Sequence, residues 1–178
     1  MNITEISNGK TRVLMFGLSP EVSKLTFHIL NYHGKIYDYY SNNLQNIDGN
    51  DFFILETHSE SDIQNFPPTI AFFGIEYQLE NYHPILEQIT AGGIVIYPEF
   101  VRNIDNAVLQ TLNYFRKMDY GKPERETENG NVTLKTDFGN VPISITDEDT
   151  IFCINGVKHF AQQFGIMEEE FYEALSAY

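Results

Sequence analysis

The sequence predicts an α/β fold, a mostly parallel sheet with helices on both faces, followed by a small antiparallel β-region. Three observations predict it. Short apolar runs without alternation recur at residues 12–16, 51–55, 69–73 and 94–97, as in strands buried on both faces. Segments with helical spacing separate several of these runs, which is the pattern of strand–helix–strand units. Beyond residue 110 the chain turns to short β-rich segments punctuated by Asn129-Gly130 and Asp137-Phe138-Gly139-Asn140, both hairpin signals.

Residues 1–10 are polar and read as a tail. Residues 12–16 form a buried strand that ends at the Gly17 turn. Ser19 is placed to cap the helix that follows, and Pro20 falls in the first turn, where its missing N–H costs nothing. Val22, Leu25, Ile29 and Leu30 then keep helical spacing up to a stop at Gly34. A second strand is expected at 36–40, a polar stretch at 41–50, a third strand at 51–55, and a fourth at 69–73 after Pro67-Pro68. Residues 81–91 read as a helix with Tyr82, Ile85, Leu86 and Ile89 on one face, closed by Gly92-Gly93 and followed by the strand at 94–97. A helix at 101–109 precedes β-segments at 114–118, 124–128, 132–136 and 141–145. Two helices, 151–164 and 168–177, close the chain around Gly165, and Glu168, Glu169 and Glu170 suit the first turn of the second one. No repeat or low-complexity linker divides the 178 residues, so one domain is expected: tail 1–10, α/β part 11–110, hairpin region 111–146 and closing helices 147–178.

Eleven Lys and Arg stand against 25 Asp and Glu, a net charge of −14. The basic residues are scattered, so the phosphate neutralisation that nucleic-acid binding needs has no stripe to work from, and no nucleic-acid partner is expected. A hydrophobic fraction of 42%, with 14 Phe and 11 Tyr, is enough for a core and excludes a disordered acidic chain. The single cysteine, Cys153, permits no internal disulfide and no thiolate zinc site, and its apolar neighbours make it a buried, inert thiol. With no signal-like segment and no long apolar span, the expectation is a cytoplasmic protein with no membrane partner.

In an open parallel sheet, ligands bind beyond the carboxyl ends of the strands, which directs attention to residues 17–21, 56–60 and 74–78. A triphosphate cradle needs clustered glycines and a lysine at the helix start. Here the loop runs Gly17-Leu18-Ser19-Pro20-Glu21, with one glycine, a proline lacking an N–H, a carboxylate, and the nearest lysine, Lys24, further along the helix. A helix N-terminus capped by Ser19 is the simpler account. Glu56 stands where a magnesium ligand or general base would, with His58 and Glu60 as further donors, and a solvated polar loop is the alternative. Glu76, Gln78 and His83 carry the same two readings, while His28, His33 and His159 are read as helix-surface or packing residues.

The order of strand, Gly17 loop, helix ending Tyr32-His33-Gly34, then Asp51-Phe-Phe-Ile-Leu-Glu56, Pro68-Thr-Ile-Ala-Phe-Phe-Gly-Ile-Glu76 and Ala91-Gly-Gly-Ile-Val-Ile-Tyr97 resembles the central ATPase domain of the Mur ligases. Within that family it is most similar to the ligases of muropeptide recycling. Asn155-Gly-Val-Lys158, Phe164-Gly-Ile166 and Glu169-Glu-Phe-Tyr-Glu-Ala-Leu175 resemble the end of the same domain, and the hairpins its β-subregion, so that the likeness covers about residues 10 to 178. The resemblance implies magnesium and ATP, an acyl-phosphate intermediate and amide-bond formation, with Glu56 at the family's magnesium-binding carboxylate. It also exposes departures. The family's Gly-Lys-Thr loop is replaced by the degenerate Gly17, Ser19, Glu21 and Lys24 stretch, its Asp-His pair by Gln78-Leu79, and its His-Asn motif by Asp149-Thr150. The chain is too short to hold the family's sugar-binding and amino-acid-binding domains as well.

Three readings follow from this. The leading one is a stand-alone, catalytically inactive Mur ligase-like domain with no catalytic residue and no cofactor. It would act by binding, as regulator or scaffold, on a cell-wall biosynthesis or recycling protein. The second is a reduced ATP-dependent amide ligase that needs a partner chain, with Glu56 holding magnesium and Lys24 replacing the lost lysine. The third is a small acidic homodimer built on Tyr37, Tyr39, Tyr40, Phe52 and Phe53.

Overall fold

The computed structural model describes residues 2–42 and 44–178. Met1 of the expected tail and Asn43 of the polar stretch lie outside the described residues. The chain forms two compact units, one made of Met1–Leu18 and Ile36–Asp119, the other of Ser19–Lys35 and Tyr120–Tyr178.

The first unit begins with α1 (Ile3–Ile6) and β1 (Thr11–Phe16); α2 (Pro20–Tyr32) belongs to the second unit. It resumes with β2 (Asp38–Tyr40), β3 (Gln45–Asn46), β4 (Phe52–Thr57), α3 (Glu60–Ile63), β5 (Ile70–Phe73), α4 (His83–Leu86), β6 (Gly93–Pro98), α5 (Arg102–Gln110) and β7 (Phe115–Tyr120). These strands make one seven-stranded sheet in the order β3-β2-β4-β1-β5-β6-β7. β1 lies in the middle, parallel to both β4 and β5, with Val13 opposite Ile54 on one side and Ile70 on the other. β2 and β6 extend the parallel array, and β3 turns back antiparallel on β2.

The apolar runs do not alternate because both faces of the sheet are closed from water. Leu14, Phe16, Phe53, Leu55, Ala71, Phe73 and Val95 form a core with Ile63 of α3, Ile85 and Leu86 of α4, and Ile104, Ala107 and Val108 of α5. On the other face Val13, Met15, Ile54, Phe72 and Ile96 are 0% exposed. Each such side chain contributes about 1.5–3 kcal/mol of transfer free energy on burial. The aromatic face expected for a homodimer is not available as a set, because Phe53 is in this core.

Several expectations need correction. The tail contains α1, capped by the Asn2 side chain, and Arg12 Nε donates to the buried Ser7 hydroxyl at 3.0 Å, which ties the segment down. The strand at 36–40 shortens to Asp38–Tyr40, and Ile36 is exposed. The helix at 81–91 shrinks to His83–Leu86. Its buried face is as expected, but Gln88 N and Ile89 N bond three residues back, to Ile85 O and Leu86 O, so the segment ends in tight turns. The segment at 115–120, grouped by sequence with the hairpins at 111–146, is the edge strand of the large sheet. Arg116, Lys117 and Asp119 mark it as one, since charges on an edge discourage pairing with other chains.

Asp38 anchors the sheet's β2 side. Its carboxylate is fully buried, pairs with the Lys10 ammonium, and accepts from Asp48 N, Asn50 N and Asn50 Nδ2 at 3.0 Å each. Burial alone would raise its pKa. The Lys10 ammonium and the two backbone N–H groups outweigh it and hold the carboxyl below its ordinary value.

In the second unit, β8 (Arg125–Glu128), β9 (Asn131–Thr136) and β10 (Gly139–Ile143) form an antiparallel three-stranded sheet, and α6 (Glu148–Gln163) and α7 (Glu168–Ser176) pack with α2. The β8–β9 turn has φ of 51° at Asn129 and 80° at Gly130, the left-handed pair that an Asn-Gly hairpin takes. Asp147 caps α6, accepting from Thr150 N at 2.8 Å, and His28 Nε2 on α2 bonds Ala174 O on α7 at 2.9 Å. Cys153 is buried, and burial pushes its thiol up to about 12. Among the described residues, no helix is long and apolar enough to cross a membrane.

Candidate functional site

The centre of the sheet is where its connections run outward in both directions from β1, so the carboxyl end of β1 is the position at which this architecture places ligands. β1 ends there in a buried turn. Gly17 has φ +71°, which an L side chain adopts only at a cost, and a Cβ built on it would lie 2.2 Å from Tyr77 O. Gly17 O accepts from Glu76 N at 3.0 Å and Tyr77 N at 3.3 Å, Gly74 N donates to Phe16 O at 2.8 Å, and Gly17 N donates to Thr57 O at 3.4 Å. Gly74 is needed on the other side of the same contact, since a Cβ there would stand 2.4 Å from Gly17 O. The segment after β5 is therefore laid directly on the turn after β1.

Side chains pack around the turn, Leu18 and Phe16 from the buried side and His58 and Tyr77 from the exposed side. Leu18 is 2% exposed and its Cδ2 abuts Gly74. His58, two residues beyond Glu56, donates from Nε2 to Leu18 O at 2.9 Å, which a carbonyl acceptor requires of that nitrogen. The His58 ring stacks on Tyr77, centroids 6.1 Å apart and planes 7° apart, and Phe16 meets the same Tyr77 edge-on at 5.9 Å.

Glu56 does not join that group. It follows Ile54 on the second face of β4, and its Oε2 accepts from the Tyr39 hydroxyl at 2.5 Å. Burial, and then the Glu56 carboxylate, raise the Tyr39 pKa, so the phenol keeps the proton it donates. Thr57 turns into the core side and donates to Asp62 Oδ2 at 2.6 Å. Glu76 and Gln78 are exposed, and the first contributes its backbone N–H rather than its carboxylate to the turn. Among the described residues no three His, Cys, Asp or Glu side chains converge as a metal site.

The remaining residues of the sequence-level phosphate loop lie on α2. Ser19 accepts from Val22 N at 3.3 Å and serves as the helix cap, with Pro20 at the first turn. Lys24 is exposed and its ammonium reaches Glu21 Oε1, one turn back, at 3.5 Å. Elsewhere in the first unit, a cavity of about 200 Å³ between α3 and α4 is lined by Glu60, Gln64, Asn81 and Gln88. It falls below the roughly 300–1,000 Å³ of ligand clefts.

Sequence reasoning placed Gly74 and Tyr77 in the strand-end segment 74–78 without giving either a role, and put Tyr39 in an aromatic face rather than beside Glu56. Tyr39 shares the parity of Glu56 across β2 and β4, but only the strand pairing, Tyr39 opposite Ile54, brings them together. Gly74-Ile75-Glu76 offered a local signal in its glycine at a strand end, where close backbone approach is common.

No family model matches the sequence, and no curated protein matches it. Solved structures match in fold. The chain is similar over 97% of its length to 47% of the UDP-N-acetylmuramoylalanyl-D-glutamyl-2,6-diaminopimelate–D-alanyl-D-alanyl ligase of Acinetobacter baumannii, at 15% identity and a TM-score of 0.67. It matches a murein peptide ligase of Psychrobacter arcticus over 98% of its own and 49% of that chain, at 12% identity and a TM-score of 0.70. It matches the MurF ligase of Thermotoga maritima, solved in complex with ADP, over 98% and 50%, at 12% identity and a TM-score of 0.68. The chain spans about half the length of these three ligases. The fold is the one the sequence resemblance implied.

Proposed function

We propose that this chain, built on the fold of the Mur ligases, is a relative that does not bind nucleotide and works as a binding domain, regulating or scaffolding a protein of peptidoglycan precursor synthesis or recycling. The observation that carries the reading is the closed turn at Gly17. A polyphosphate site needs backbone N–H groups aimed at open space and a lysine to neutralise charge. At this turn Gly17 N is bonded to Thr57 O, Pro20 has no N–H, Val22 N and Ser23 N go to Ser19, and the Tyr77 backbone fills the space in front of Gly17.

Magnesium-ATP does not fit the residues present. Phosphoryl transfer rests almost entirely on positioning and electrostatic stabilisation, and a turn whose Gly17 N is already bonded and which has no lysine at the helix start supplies little of either. The alternative of a reduced ligase assigns the neutralising role to Lys24, which pairs with Glu21, and the metal to Glu56, whose Oε2 already accepts from the Tyr39 hydroxyl.

Calorimetric titration of the purified chain with magnesium-ATP tests the reading. The expected result is no saturable heat. Saturable binding that disappears in Glu56→Ala would overturn it, and ATP consumption in mixtures with muropeptides and candidate partner proteins would favour the reduced ligase instead.

A further inference from the structure

The second unit carries an open groove of about 970 Å³, lying between the tip of the β9–β10 hairpin and the corner from α6 into α7. Two of its three apolar side chains are held out toward water. Phe138, at the hairpin tip, is 55% exposed, with its ring 6.3 Å from that of Tyr172, and Met167, at the start of α7, is 70% exposed. Ile166 lines the groove between them and is buried. The hairpin tip is locally fixed, since Phe138 N donates to Thr136 Oγ1 at 3.1 Å and that hydroxyl donates to Gly139 O at 2.8 Å. Phe138 is thus presented by a braced turn, and Met167 adds a side chain that adapts to irregular apolar partners.

The charged lining has one sign. Glu168, Glu169, Glu170 and Glu173 all line the groove, and no Lys or Arg does. The nearest cations are Lys158, paired with Glu168 at 2.7 Å, and Lys35, whose Nζ lies 3.9 Å from where a Cβ would stand on Gly165. The carboxylates point to different local partners: Glu168 also takes the Tyr172 hydroxyl, Glu170 takes Met167 N at 2.7 Å, and Glu173 takes the Tyr32 hydroxyl at 3.3 Å. They do not converge as a metal cage. Anionic ligands, nucleotides included, are repelled by this lining. A small molecule would also remain largely uncovered, because tight sites bury most of their ligand and this groove is open on one side.

We propose that this groove docks a basic peptide segment of a partner protein, one bulky apolar side chain seating against Phe138, Ile166 and Met167 while flanking Lys or Arg residues meet Glu169, Glu170 and Glu173. Apolar anchoring supplies affinity, and the carboxylate rim supplies approach rate and discrimination against acidic sequences. The inference goes beyond the nucleotide-free reading and does not depend on it, since a chain that bound ATP could still use this groove.

The test selects short random peptides displayed on phage against the immobilised full chain and then titrates labelled versions of the enriched sequences. Enriched peptides are expected to combine Lys or Arg with a large apolar residue. Affinity is expected to fall about tenfold in Phe138→Ala, an interface-anchor effect, and several-fold in Glu169→Lys, while the same charge change at Glu128, on β8, leaves it within about twofold. No enrichment overturns the proposal, as does a neutral or acidic consensus. Equal loss in Glu169→Lys and Glu128→Lys also overturns it, because binding would then be diffuse attraction to an acidic chain. Sedimentation velocity covers the remaining occupant: concentration-dependent dimerisation that Phe138→Ala abolishes assigns the groove to a second copy and not to a basic partner.

Discussion

The turn after β1 and the groove beside α7 are opposites. At the turn, in the position where this architecture places ligands, backbone groups and side chains satisfy one another: Gly17 O, Gly17 N, Leu18 O and the Tyr77 ring all have partners within the first unit. At the groove, in the second unit, Phe138 and Met167 stand in water and four carboxylates share one lining. The difference teaches that the place where a fold commonly holds ligands and the place where a chain exposes groups for recognition need not coincide. Gly17 at the turn is held by backbone bonds on both its N–H and its carbonyl, whereas the groove exposes apolar surface among charges.

If the contrast is right, substitutions in the first unit's bonded networks cost stability and substitutions in the groove do not. The largest effect is expected at Asp38. Asp38→Ala leaves three N–H donors and the Lys10 ammonium without their acceptor and should cost about 3 kcal/mol in urea unfolding, the lower part of the range for breaking a buried pair, because Lys10 can still reach water. The pH dependence follows from the lowered carboxyl pKa. The contribution of Asp38 is complete above the unfolded-state value near ~4 and is lost as pH falls through the lower folded value, so wild type and Asp38→Asn should converge only in acid.

Gly17→Ala comes next. The left-handed φ and the 2.2 Å approach to Tyr77 O act together, and a loss of about 2–4 kcal/mol is expected by the same measurement. A neutral result would mean that the turn opens easily, which would blur the contrast at its most important point. Tyr39→Phe should cost about 1.5–2 kcal/mol, the value of a hydrogen bond to a charged group, and should leave the Glu56 carboxylate available to other donors. Smallest is Phe138→Ala. A half-exposed hairpin tip should change stability by no more than about 0.5 kcal/mol, so any larger loss would mean that the groove is structural rather than a recognition surface.

What could be read from the sequence divides along physical lines. Continuous apolar runs at β1, β4, β5 and β6 announced a sheet buried on both faces because burial acts on each strand's own residues. The caps at Ser19 and Asp147 and the Asn129-Gly130 turn are local chemistry, and the first and last of these were placed correctly. Asp38 was passed over inside a short strand because its partners lie 28 residues before it and 10 to 12 after it. Of the candidate site, Gly17 and His58 do belong to one arrangement, but the sequence could not pair them with Tyr77, whose position depends on the order of strands in the sheet. The edge character of β7 was obscured by the hairpins that follow it, although its charges were visible.

The central claim, that the turn after β1 is closed to polyphosphate, is tested most directly by amide hydrogen exchange across residues 16–23 with and without saturating magnesium-ATP. Closure requires the same protection in both conditions, with Gly17, Val22 and Ser23 already slow in the free protein. Protection that grows with nucleotide concentration and saturates at these amides would contradict it.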